Sequence, residues 1–554
     1  MSVLSRVRRH PILLAAASSL CLLSTPLVNP VSGVAAASGT SAVSAPVFTP
    51  ALTLFGTVDL SSLGPPPAPK STSATASRRR VEDQAVVSHR PTAGAAASTP
   101  SATGRTVTGT QVPKEYGFVG LTGAEQAAAN GGLDLEPPDQ GLCAGDGYVT
   151  EFVNNALTVY NRAGSQALPV IPSYELFKQP STAFFSDPRC YFDAATGHWF
   201  LSEFIVGTVG SSGTVTSPSV QFLAVSDTSD PLGTYHVWGW DTTDQTTAGC
   251  PCFGDYDELG ADDNGIYITT DEFSITGPAY NGVIVYALSK ELIETYSSSG
   301  IPPTVFGYRV THDYFGQPYI LAPTTTPAGA RFAPGTEYFV ESNGNALSDD
   351  HLAVYALHDT SELAAPSPPS LYRTEVTSEP YAFPPDANQK PGPRPLGRAV
   401  QDPEGMLQAD FDSVMETTYV NGHIYGELDT ATTSGYDAAA WFQLTPVLSG
   451  STLTASVYRQ GYVAAAHANL IYPYTALSSK GTGYLLFSLS GPDNYPSAAY
   501  ITYASSGPSG PVRIAGAGAE PEDGFTCYAA FVGPNYGGCR WGDYSMGAAA
   551  NGVV

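Results

Sequence analysis

The chain has 554 residues, only 13% of them charged, with 56 Gly, 46 Pro, 32 Tyr and a formal net charge of −26. Such a turn-rich, aromatic mixture suits many short β-strands, and the length allows several domains or one large repeat domain. A surface this acidic repels phosphate backbones and anionic lipid, which excludes nucleic acid and argues against direct membrane adhesion.

Residues 1–37 read as a signal peptide. Arg6, Arg8 and Arg9 precede the apolar run Ile12–Leu23, and Ala35-Ala36-Ala37 offers a small-residue cleavage site, so the mature chain is expected to start near Ser38. No later apolar stretch is long enough to span a bilayer, so the expected location is secreted and extracellular. Residues 38–110 are rich in Ala, Ser, Thr, Pro and Gly, and are expected to form a disordered linker or propeptide. Residues 1–110 hold 9 of the 24 Lys/Arg but 3 of the 50 Asp/Glu, leaving 15 cations against 47 carboxylates, or −32, over the remainder. That balance suits an acidic habitat, where many carboxylates are neutral.

From residue 111 to 554 one phrase recurs, clearest at Ser186–Glu203, SDPRCYFDAATGHWFLSE. An acid and a proline lead into an apolar run, a Gly turn and a second apolar run, which is the pattern of a β-hairpin. Seven copies align on Asp139, Asp187, Asp255, Tyr319, Asp412, Tyr474 and Asp543, with turn glycines at Gly147, Gly197, Gly265, Gly335, Gly422, Gly483 and Gly552. Asn264-Gly265, Asn421-Gly422 and Asn551-Gly552 are strong hairpin signals. Further apolar runs at Val220–Val225, Tyr235–Trp240, Val283–Ala287 and Leu352–Ala356 supply second strand pairs. Four strands per copy predict an all-β, seven-bladed β-propeller. A Pro-rich excursion over Glu362–Met406 reads as a long face loop. The last copy stops just after its turn, so its blade is completed by residues 115–121 or is truncated.

Six cysteines follow the leader: Cys143, Cys190, Cys250, Cys252, Cys527 and Cys539. An even number in an exported chain reads as disulfides, and the expected pairs are 143–190, 250–252 and 527–539 among 15 connectivities.

Three stretches carry a resemblance. Cys539–Ser545 (C-R-W-G-D-Y-S), Asp187-Pro188 with Trp199-Phe200, and Tyr472-Pro473 with Tyr495–Ala498 stand in the order found in a broad group of uncharacterised secreted bacterial β-propeller-repeat proteins. The chain resembles that group over roughly residues 135–554. Its members usually continue past the C-R-W-G-D-Y-S block, so the resemblance implies a truncated last blade, a propeller fold and secretion. It implies no catalytic residue.

If the anchors open the innermost strands, Asp139, Asp187, Asp255, Asp412 and Asp543 ring one mouth of the channel. Converging carboxylates there suit Ca²⁺ or acid–base cleavage of a glycosidic bond. Their recurrence favours a plainer role, in which an Asp at strand entry accepts backbone N–H bonds. Arg189, Arg540, Tyr256, Trp541 and Tyr544 are not repeated, and Arg beside aromatic faces suits a sugar or anion. Lys390, Arg394 and Arg398 make the excursion locally basic. There is no H-E-x-x-H, P-loop or EF-hand pattern. The leading expectation is recognition, extending to processing, of extracellular carbohydrate at one face of the ring. The alternatives are a non-catalytic scaffold that binds a cell-surface protein and a metal-dependent hydrolase or lyase.

Overall fold

The computed structural model describes residues 41–550 apart from 44, 65–77, 82–98, 109–116, 211–213, 278, 345, 410 and 534–537. The expected leader, residues 1–37, lies outside them, as does the Asn551-Gly552 turn.

Among the described residues, six antiparallel meanders of four strands follow one another. The first is Gln140–Gly145, Tyr148–Val153, Ala156–Asn161 and Gln166–Pro172. The second is Phe185–Asp193, His198–Ile205, Val220–Ser226 and Thr234–Asp241. The third is Cys252–Ala261, Gly265–Ser274, Tyr280–Ser289 and Val305–Val310. The fourth is Ala322–Thr325, Thr336–Ser342, Ser348–His358 and Ser370–Ala382. The fifth is Thr417–Val420, His423–Ala431, Asp437–Ser449 and Thr452–Ala465. The sixth is Asn469–Leu477, Gly483–Gly491, Asn494–Ala504 and Gly507–Gly516.

Period-two side-chain alternation explains why these strands stack face to face. Along His198–Ile205, Trp199 and Leu201 enter the core shared with the first meander, while Phe200 enters the core shared with the third. Phe222 and Ala224 against Leu223 and Val225 repeat the division. Both faces are buried, so these strands read as nearly continuous apolar runs rather than as clean alternation. Three further cores join meanders three to six in succession. The first strand of every meander lies innermost, and a single cavity is lined by residues of all six. This radial arrangement is a propeller.

The expected count of seven blades is corrected. Four sheets are blade-sized, with four, five, five and five strands. Meanders four and five are joined in one ten-stranded sheet through the parallel pairs Thr324–Thr417 and Thr325–Thr418. The seventh copy forms no meander among the described residues. Its segment around Asp543 instead bridges the sixth and first: Trp541 Nε1 donates to Ser488 Oγ at 2.9 Å, and Asp543 N donates to Asp139 Oδ1 at 2.8 Å. Residues 117–121, the alternative completion of that blade, form no strand.

The expectation of disorder over 38–110 is corrected where that segment is described. Ser41–Ala42, Val47–Phe48 and Thr53–Asp59 add outer strands to meanders four, three and two in turn. Gly104–Arg105 and Val107–Thr108 pair with the outer strands of meanders five and six. Arg78–Val81 pairs with Leu133–Glu136, just ahead of the first meander. A sheet edge presents unpaired backbone groups that any non-proline sequence can satisfy, so the low apolar content of this strap is no obstacle.

The excursion is shorter than expected, because Ser370–Ala382 is the outer strand of meander four. The irregular stretch begins at Phe383, and within it Ala387 pairs with Leu407, which in turn pairs with Cys539. Lys390 lies 4.9 Å over the Tyr495 ring, and Arg394 bonds the Asp402 carbonyl, so neither reaches over an open face. At Asn421-Gly422 φ is 53° and 88°, as the two-residue hairpin requires. At Asn264-Gly265 the turn is built differently, with Asp262 Oδ1 accepting from Asn264 N at 2.8 Å and Gly265 N at 2.6 Å.

The three disulfides are 143–190, 250–252 and 527–539, and the first ties the inner strands of meanders one and two. Among the described residues no helix is long and apolar enough to cross a membrane.

Candidate functional site

A bulge shapes the entry of the inner strands. Asp187, Tyr256, Ile320 and Tyr472 have φ between 48° and 55°; three lie in the first half of an inner strand and Ile320 two residues ahead of one. Left-handed backbone is costly for such residues and persists only where neighbours hold it. Carboxylates do the holding. Asp187 Oδ2 accepts from Tyr256 N at 3.1 Å, Asp271 Oδ1 from Ile320 N at 3.1 Å, and Asp429 Oδ2 from Tyr472 N at 2.8 Å.

The residues singled out in the sequence sit in this layer, nearly all of them buried. Asp187, Asp255, Asp412, Arg540 and Asp543 are at most 2% exposed, and Tyr256 and Tyr544 at most 3%. Arg540 pairs with Asp543. The Asp412 carbonyl accepts from Ser342 Oγ at 2.8 Å. Burial pushes the Asp187 and Asp412 carboxyls well above the usual range, and the neighbouring Asp139 adds to the effect on Asp187. Trp541 alone keeps partial exposure. On the same side Tyr256, Phe273, Tyr319, Ile320 and Phe411 form an apolar cluster, packed by Phe383 from the long loop. Of these acids Asp187 holds backbone, Asp543 pairs with Arg540, and all four are buried.

Below them lies Arg189. Its Nε donates to the Asp257 carbonyl at 2.6 Å, one terminal nitrogen to Glu258 at 2.8 Å and the other to Glu416 at 3.1 Å. Its guanidinium stacks 3.4 Å above the Tyr544 ring. Burial opposes the charge, but Glu258, Tyr544 and Glu416 outweigh it and hold Arg189 protonated. Burial raises Asp257 to about 7, against the pull of Arg189 and of bonds from Gln221 and Ser202. Glu427, which accepts from Thr475 N at 2.8 Å, is raised by burial to about 8.

The exit half of the channel is open. A cavity of about 90 Å³ is lined by Leu142–Ala144, Arg189–Phe192, Leu259, Thr325–Ala328, Glu416, Thr418, Tyr474–Leu477 and Met546–Ala549. That is room for roughly six waters at the ~15 Å³ each requires. Glu416 is the only carboxylate among these lining residues; its side chain is 10% exposed, and burial raises its carboxyl to about 7 against the pull of Arg189.

Sequence reasoning singled out Arg189 but passed over Glu258, Glu416 and Thr418. One signal was available. After each bulge the first residue to re-pair is Arg189, Glu258 or Tyr474, so the position that follows the kink differs in every copy. A second cluster stands apart on meander four, where His351 Nδ1 lies 2.7 Å from Asp350 Oδ1 and 3.2 Å from Asp349 Oδ1. These three partly exposed groups have the spacing of metal ligands, and none of the acids expected to bind Ca²⁺ is among them.

No family model and no curated protein matches the chain. Among solved structures, similarity is found to an exo-β-1,3-galactanase from Phanerochaete chrysosporium with galactose, 10% identical over 68% of this chain and 76% of that one, TM-score 0.27. A GH43 endo-arabinanase from Bacillus licheniformis is 10% identical over 68% and 92%, TM-score 0.27. An α-L-arabinofuranosidase from Lactobacillus brevis is 9% identical over 58% and 91%, TM-score 0.26. At such TM-scores these likenesses carry no argument, and the fold and site rest on the geometry of the chain itself.

Proposed function

We propose that this chain is a secreted binding protein that recognises extracellular carbohydrate through the exit half of its axial channel. The observation that carries the reading is the cavity lined by six inner strands, with Glu416 and Arg189 among its residues and the hydroxyl-bearing Thr325, Thr326, Thr418 and Thr475 around them. A concave site with a few convergent polar groups and aromatic walls is the usual form of a small-ligand site, and Tyr191, Phe192 and Tyr474 supply the walls. The volume suits the end of a glycan rather than a chain laid across a face.

Recognition is favoured over cleavage by the carboxylate count. Glycoside hydrolysis usually requires two carboxyl groups flanking the bond, about 5–9.5 Å apart. Here the described cavity lining holds one; Glu258 is buried, and Glu427 borders a separate space of about 20 Å³, too small for a sugar. Binding of the full chain to a glycan panel, with and without Ca²⁺, tests the proposal. Saturable binding of at least one glycan, weakened by Thr418→Val, is expected. No binding to any glycan overturns it in favour of a scaffold, and turnover of a glycan overturns it in favour of an enzyme.

A further inference from the structure

The charged groups around the cavity are unequally engaged. Among the described residues, Arg189 and Glu416 are the only charged ones in its lining, and Nε and both terminal nitrogens of Arg189 are engaged, with Asp257, Glu258 and Glu416. An anionic ligand would find no unengaged cation there. Glu416 differs. One of its oxygens accepts from Arg189, and the tenth of its side chain left exposed lies in the cavity. The groups around it are Arg189 from meander two, Glu258 from three, Glu427 from its own meander and Tyr474 from six, which gives one cation against two further carboxyls.

The hydroxyls point to the same kind of ligand. Thr325 Oγ1 donates to the Thr417 carbonyl at 3.4 Å, and Thr475 Oγ1 donates to Glu427. With their protons committed, both offer only lone pairs to a guest. Committed hydroxyls beside a carboxylate suit a group with several N–H bonds.

We infer that the axial cavity takes a ligand bearing a primary ammonium group, an amino sugar in its simplest form, and that Glu416 receives that group. The inference rests on the carbohydrate reading above. An ammonium carries three donors and a full charge, matching one carboxylate, neighbouring hydroxyl acceptors and the aromatic faces of Tyr191 and Tyr474. A bare Ca²⁺ ion fits less well, since it takes six to eight oxygens and the lining supplies a single carboxylate. Glu416 sits at about 7, so its charge is available at neutral pH and withdrawn in acid.

Calorimetric titration of the full chain with D-glucosamine, N-acetyl-D-glucosamine and D-glucose, in calcium-free buffer at about pH 7.5 and about pH 5, tests this. At the higher pH glucosamine is expected to bind at least about tenfold more tightly than the other two, a preference that collapses at the lower pH. Glu416→Gln should abolish the preference with an unchanged thermal midpoint; if that variant unfolds, the pH series on the unaltered chain decides. Equal affinity for the three sugars overturns the inference and leaves carbohydrate recognition standing. Glu416-dependent binding of Ca²⁺ alone overturns it in favour of a metal site. Absence of binding by every sugar overturns both.

Discussion

Asp187 and Glu416 are both buried carboxylates near the propeller axis, and they serve different ends. Asp187 holds the amide of Tyr256 in the next meander, within a layer sealed by Phe411, Tyr319 and Phe273. Glu416 shares Arg189 with Glu258 and keeps one side on a cavity. Residue type does not separate them. What does is the group each carboxylate meets: Asp187 accepts the backbone N–H of the kinked Tyr256, whereas Glu416, on a meander with no such kink among the described residues, borders the cavity.

The strongest way to break that comparison is at Arg189, which stands between the two halves. Arg189→Leu leaves Glu258, Glu416 and Asp257 without their cation, and urea denaturation should show a loss of about 3–5 kcal/mol. A loss under about 1 kcal/mol would mean that the carboxyls around it are already neutral. At the entry half, Asp429→Ala removes the acceptor of Tyr472 N and should lower stability by about 1–3 kcal/mol, read in the same denaturation.

The acidity of the core gives a third test. Asp257 is raised to about 7, and Glu272 and Glu427 to about 8, chiefly by burial. The folded chain therefore binds more protons than the unfolded one. Stability from these groups is full below the unfolded carboxylate values near 4 and is lost as pH rises through about 7–8. Each contributes a decline on the order of 1 kcal/mol per pH unit over that window. Thermal midpoints should fall from about pH 5 to about pH 8 and then level off, and a profile peaking above neutrality would contradict this account. The smallest effect on stability belongs to the exit half. Glu416→Gln keeps the shape and should change unfolding by less than about 1 kcal/mol, while the preference for glucosamine is lost. A larger change would place Glu416 with the structural acids.

Much of the fold was legible because hairpin chemistry is local. Gly197 and Asn421-Gly422 have the positive φ that the turn requires, and the paired apolar runs became strands. The expected disulfide pairs are those that form, although six cysteines by themselves leave 15 connectivities open. The acids at strand entry could be found by recurrence, although the left-handed residue is Tyr256, Ile320 or Tyr472 rather than the anchor at three of the four kinks. The strap was not legible, because its outer strands are recruited through backbone groups that carry no side-chain code. Glu416 was not legible either, preceding a short strand in an unremarkable Met-Glu-Thr-Thr.

The sequence by itself determined the β-hairpin unit, its repetition and the aromatic cores, because each is set by turn residues and period-two burial over a few tens of residues. Tertiary structure alone decided the number of meanders, the path of the strap from one sheet edge to the next, and which carboxylate meets solvent. Those depend on where six strands distant in sequence converge, and exposure at the axis is a property of all six together.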